Sequence, residues 1–185
     1  GGAIAFSGVT VMFIPFIADV YGYGAVAAGM VLTYIGVISA VSHGVISPKL
    51  IEKYSPINVA IFSSVGLMLS MVLLPFCSMI PNINSIDQGL ISLLGVLGLL
   101  AVSNACFHVA LSTLVSFAAS EDAQGVSFGI FQSSGSLGRT MGPPLMAVLY
   151  TMAIWSPFIV GAIVFIPLVV VLAKLPYNRE IKSNV

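Results

Sequence analysis

Charge is what this chain has least of. Six Lys or Arg and six Asp or Glu make up 6% of its 185 residues, where an ordinary soluble domain carries about 25%. So few charges cannot face water over a whole surface, which all but excludes a soluble globular fold. The solvent that suits such a surface is a lipid bilayer, so lipid is the first expected partner. The formal net charge is +0, so no bulk field draws nucleic acid. Cysteine is scarce as well. Cys77 and Cys106 sit in separate apolar segments, with no C-x-x-C and no metal-ligand spacing. They read as small apolar fillers, and neither metal nor cofactor is expected. Catalytic signatures are missing: no H-E-x-x-H, no G-x-S-x-G and no phosphate-binding glycine loop occurs. No pair of acids falls inside an apolar run, which argues against an intramembrane aspartyl protease. His43 and His108 define no triad with any serine. We expect no enzyme activity and no catalytic residue. The chain starts at Gly1, with no basic segment ahead of its first apolar run. We expect it to be a piece of a longer or processed protein.

What the chain does have is long apolar runs, with 58% of its residues hydrophobic. A helix crossing about 30 Å of hydrocarbon needs about 20 mostly apolar residues. Six segments qualify: Gly1–Ala18, Ala25–Ile46, Ile57–Ile80, Gly89–Ala118, Val126–Ala153 and Pro157–Leu175. They are too long and too evenly apolar for barrel strands of about 9–11 alternating residues, and a helix satisfies its backbone internally, as lipid demands. The connectors DVYGYG (19–24), SPKLIEKYSP (47–56), PNINSIDQ (81–88) and SEDAQG (120–125) are short, and a polar tail covers 176–185. The predicted fold is all-α and integral to the membrane, a single six-helix domain over residues 1–185.

Lys49 and Lys53 lie in the second connector, and Lys174, Arg179 and Lys182 near the end. With six spans these groups share one side. The other side has only Asp19 and Asp87. Basic residues favour the cytoplasmic face, so the protein is expected to be multi-pass, with its C-terminus cytoplasmic. Tyr21, Tyr23, Tyr150 and Trp155 fit an aromatic belt.

The spans differ in polarity. The third and sixth are almost pure hydrocarbon and suit a lipid-facing rim. The second carries Tyr34, the fourth Asn104 and His108 at i and i+4, and the fifth Gln132 and Arg139. Polar groups at membrane depth need partners or water, so spans one, two, four and five should face protein or a wet cavity. Arg139 lies about 20 Å along its helix at 1.5 Å per residue, past the midplane, from where its stem could reach toward the non-cytoplasmic interface. Gly135, Gly138 and Gly142 recur at spacings of three and four, and Gly125 with Gly129 adds a G-x-x-x-G pair. Small residues so spaced form a groove for a neighbouring helix. Pro143 and Pro144 remove backbone donors and should bend the outer end of that helix; Pro15, Pro75 and Pro167 should bend theirs.

QGVSFGIFQSSGSLGRTMGPPLMAVLY (124–150), with GSLGRTMGP as its most specific block, resembles a late helix of major facilitator superfamily transporters of the drug/proton antiporter, tetracycline-efflux type. Residues 105–125 and 21–56 resemble other parts of the same C-terminal half. The sequence departs from the pattern in the loop after Gly44, where Pro48, Lys49, Glu52 and Lys53 follow and Ser55 stands where a glycine is common, and at His108 and Val109, where a proline is frequent. The resemblance implies one six-helix half of a twelve-helix fold. Its N-terminal six-helix bundle would come from the same gene or a second copy. A small-molecule substrate would bind between the halves and cross by alternating access, driven by an ion gradient or its own. On this reading Tyr34, Asn104, His108, Gln132 and Arg139 are candidates for the substrate pathway or the inter-bundle seam. Gly135, Gly138, Gly142 and Pro143 are candidates for helix packing and gating. Arg139 would either sit in the pathway or in an ion pair with Asp19 or the other half, or bond internally to carbonyls and polar side chains. The competing reading is a non-transporting membrane scaffold or complex subunit.

Overall fold

A computed structural model describes residues 1–22, 24–79 and 88–174. Tyr23, most of the third connector with Asp87, and the tail with Arg179 and Lys182 lie outside the described residues, as do the span ends at Ile80 and Leu175. Among those described there is no strand. The helices are α1 (Gly2–Tyr21), α2 (Ala25–Val41), α3 (Ser47–Tyr54), α4 (Pro56–Leu73), α5 (Gln88–Ala118), α6 (Gln124–Met152) and α7 (Ser156–Lys174). Among the described residues, five helical stretches are long and apolar enough to cross a membrane: Gly2–Tyr21, Ala25–Tyr54, Pro56–Met79, Gln88–Ala118 and Ser156–Lys174. The predicted fifth span, α6, is absent from that set although it has 29 residues, because serines, glycines and Arg139 dilute its hydrocarbon.

Geometry brings α6 back into the bundle. It runs parallel to α1: Gly138 meets Ala3, Gly142 meets Ile4 and Ser7, and Gly8 meets Met146. Farther along, the Tyr150 hydroxyl donates to the Asp19 carboxylate at 2.7 Å. Likewise α2 runs parallel to α5, with Tyr34 beside Leu94 and His43 beside His108. α7 runs antiparallel to α1, from Val164 beside Gly1 to Phe158 against Phe16. Parallel partners two or four spans apart and antiparallel partners an odd number apart are what an alternating six-pass chain requires. A membrane crossed by α1 is therefore crossed by α6.

Small residues set the close contacts. The α1–α6 seam is backbone on backbone at Gly8, Gly138 and Gly142, so these helices approach more closely than side chains would allow. Pro143 cannot donate to the Arg139 carbonyl. The Ser7 hydroxyl donates to that carbonyl instead, at 3.4 Å across the seam, and α6 stays helical through both prolines. The third span is not simply a lipid-facing rim. α4 packs on both α5 and α7, burying Ala60, Ser64, Leu67 and Met71, because Gly66 admits the Ser103 side chain. Phe62, Val65, Leu69 and Val72 form its outward apolar face. Phe16 and Phe158 fill the core edge to face, 5.0 Å between centroids.

The second connector differs from its expected loop. Residues 42–46 form a π-helical turn and Ser47–Tyr54 a further helix, so one helical path continues from α2. Pro48 offers the cause: its ring crowds the carbonyl four residues back and it has no N–H to give, and the turn ahead of it widens. The Ser47 N–H and hydroxyl both donate to the Ser42 carbonyl, the hydroxyl at 2.8 Å. Pro75 acts similarly, lying where α4 gives way to a tighter 3₁₀ stretch over Leu74–Met79; Pro15 and Pro167 stay inside unbroken helices. The path ends at Ser55, whose φ of 72° and ψ of 141° lie in territory suited to glycine, at a cost of about 1–3 kcal/mol. This is the position where the family resemblance leads one to look for glycine. Ser55→Gly is expected to raise stability by about 1 kcal/mol, strain relief outweighing the added freedom of the unfolded chain. An SDS unfolding titration in mixed micelles reads it; an unchanged or lower midpoint would count against strain at this residue.

Candidate functional site

A cavity of about 320 Å³ lies among α1, α5, α6 and α7. Each wall follows from helical periodicity. On α5, Asn104, Phe107, His108 and Leu111 recur at i, i+3, i+4 and i+7 and share a face. On α6, Phe131, Gly135 and Arg139 recur every four residues, with Gln132 and Ser134 beside them. Phe165 and Leu168 of α7, with Phe6 and the Gly1–Ala3 end of α1, complete the lining. The result is an apolar and aromatic chamber with a few polar groups, including one cation. A second, narrower space of about 40 Å³ continues between α1, α2 and α5, lined by Thr10, Ser39 and Leu97 among others. Phe6 and Asn104 line both spaces, so Asn104 stands where they meet.

Arg139 folds back along its own helix. Side chains on a helix lean toward its N-terminus. The guanidinium accordingly lies over Gly135, its Nη1 3.5 Å from where a side chain there would begin. Nη2 donates to Ser136 Oγ at 3.2 Å. The group therefore points into the cavity, away from the Tyr150 end of α6 and the non-cytoplasmic interface expected for it. The expected alternative of an ion pair with Asp19 is not formed. Asp19 lies sixteen residues beyond Ala3, about 24 Å along α1 at 1.5 Å per residue, and accepts from Tyr150 instead. Among the described residues no carboxylate lines the cavity.

The structure thus gathers Asn104, His108, Gln132 and Arg139 at one site. Tyr34 lies apart: its hydroxyl donates to the Leu94 carbonyl at 3.1 Å, tying α2 to α5. The three glycines divide between two tasks. Gly138 and Gly142 form the groove for α1, while Gly135 leaves room for the guanidinium. Gly125 and Gly129 face open space. Pro143 is half-buried beside the groove.

One neighbour of the site is not evident from sequence. His43, near the end of its span, has its ring 6.5 Å from that of His108, and His108 in turn packs edge-on against Phe131 at 5.9 Å. His43 lies in the π-helical turn, with its Nδ1 2.9 Å from the Ser39 carbonyl oxygen. Pro48 is the available signal. Cys106, at the back of α5, has its Sγ 3.4 Å from Ser47 Oγ, whose one hydrogen goes to the Ser42 carbonyl.

Gln132 and Arg139 of the cavity lining, with Ser133, Ser136 and Thr140 next to them, are exposed along α6. Hydrocarbon is a costly neighbour for such a strip. Comparison with protein-family models, curated protein sequences and solved structures finds no match to this chain.

Proposed function

We propose that this chain is one six-helix bundle of a secondary transporter of the major facilitator type, moving a small organic solute by alternating access against a partner bundle. The observation that carries the reading is the chamber on α5 and α6, with its amides and cation, opening beside an exposed polar strip. A cavity of about 320 Å³ falls at the small end of ligand sites, usually about 300–1,000 Å³ and mostly apolar with a few directing polar groups. A polar strip at membrane depth calls for protein or water against it, as an inter-bundle seam provides. The resemblance of residues 124–150 to a late helix of that superfamily points the same way. Transporter sites of this kind lie between two halves near the midplane.

The test is uptake into proteoliposomes reconstituted with the gene product carrying this chain, under imposed proton and sodium gradients. Wild type is expected to accumulate or exchange a solute, and Asn104→Ala or Arg139→Ala to lower the rate at least tenfold with unchanged insertion. Absence of flux under every gradient would contradict the reading, as would normal flux of a verified substrate in both variants. The exposed strip on α6 also fits a second reading, a non-transporting subunit whose polar face is a protein contact. Absent flux together with stoichiometric co-purification of another membrane protein would favour it.

A further inference from the structure

The geometry points to a small amphipathic organic anion as the ligand of the α1–α5–α6 cavity: one carboxylate or similar monoanion on an aromatic or aliphatic body. This names the solute class for the transport reading and rests on it. Three observations carry it. First, Arg139 delivers a permanent positive charge into the chamber, and no acid among the described residues shares the lining. A guanidinium in a mostly apolar site without a counter-charge favours an anion from outside, and its fork of donors matches a carboxylate. Its hydrogen bond to Ser136 Oγ leaves further N–H groups to give.

Second, Asn104 and Gln132 line the same chamber, and their amides can donate to a second oxygen. The ring of His108, held between His43 and Phe131, bounds the polar end. Third, the remainder is apolar and largely aromatic: Phe107, Phe131, Phe165, Leu111 and Leu168. Such walls fit a flat hydrocarbon body and offer nothing to a sugar or a polyanion. A cationic solute would meet Arg139 with no carboxylate to balance it. Two sources share the favoured chemistry, a free organic acid and the headgroup of an anionic lipid.

The test uses the gene product in phosphatidylcholine nanodiscs and three probes of one shape: 2-naphthoate, 2-naphthamide and 2-naphthylmethylammonium. Isothermal titration is expected to show naphthoate binding at least tenfold more tightly than the amide, with the ammonium weakest. Arg139→Gln should remove most of the acid-over-amide preference while leaving the amide within about twofold, and Arg139→Lys should keep part of it. Equal affinity for acid and amide in the wild type, a comparison that needs no variant, would overturn the proposal. An unchanged preference in Arg139→Gln would overturn it too. In a second arm phosphatidylglycerol is added. Displacement of naphthoate assigns the Arg139 chemistry to a lipid headgroup, and indifference assigns it to a free solute. Naphthoate preference without any flux in proteoliposomes would sink the transport reading and leave the anion site standing. Flux of another solute with naphthoate neither bound nor competing would do the reverse.

Discussion

Gly142→Leu is expected to open the α1–α6 seam. A Cβ at this position would overlap the Ser7 hydroxyl and the Ile4 carbonyl and lie 3.1 Å from the Gly8 nitrogen. Two of those three atoms are backbone, so the neighbour cannot yield by changing rotamer. Gly8 faces the same contact from the other side, where a Cβ would lie 2.7 Å from the Gly142 carbonyl. Overpacking typically costs about 1–3 kcal/mol, occasionally more. With backbone on both sides the upper end applies, and about 3 kcal/mol lowers the folded-to-unfolded ratio roughly 100-fold. The added side chain would also separate Ser7 from the Arg139 carbonyl that Pro143 leaves unpaired. The comparison is Gly129→Leu on the same helix, where the site is open. There the better helix propensity of leucine should leave stability equal or improved by up to about 1 kcal/mol. SDS titration of both variants in mixed micelles reads the difference. Matching midpoints would mean that the seam is not the close contact described.

The resemblance drawn from the sequence leads to this seam, but the seam itself needs α1. Glycine spacing alone makes Gly125, Gly129, Gly135, Gly138 and Gly142 equivalent. Only the azimuth of α6 against its neighbour separates the pair that touches backbone from the pair that faces open space. The same limit explains α4. Its hydrocarbon composition reads as lipid-facing, but in a bilayer apolar side chains gain little by leaving lipid. Small residues such as Gly66 and Ser64 decide which face is buried. Helix existence is legible because apolar runs of this length have few other forms in a membrane. The continuation of the α2 path as far as Tyr54 is not, since Pro48 reads locally as a breaker although a widened turn absorbs it. That turn also holds His43, whose ring meets His108, a meeting that no residue spacing encodes. Asn104 and His108 are legible as a pair because one helix holds both. The direction of Arg139 differs from its expected one because distance along α6 fixes only where the side chain starts. The backward lean of helical side chains fixes where it ends.

The site depends on α6 crossing the membrane alongside α1, although α6, with 29 residues, is too polar to qualify as a span by composition. If α6 instead dipped in and returned, Arg139 would sit near an interface and the cavity would not lie at membrane depth. An α6 of 29 residues is about 43 Å long at 1.5 Å per residue, more than the roughly 30 Å of hydrocarbon. Its two ends should therefore reach opposite surfaces. Lys49 lies at the end of the bundle where α6 begins, since α2 and α5 are parallel and His43 stands beside His108. The most direct measurement is labelling of single cysteines in oriented vesicles by an impermeant maleimide, with Cys77 and Cys106 replaced by alanine. Lys49→Cys and Ser127→Cys are expected to react from one face and Thr151→Cys only from the other. Reaction of Ser127→Cys and Thr151→Cys from the same face would contradict the crossing and the site built on it.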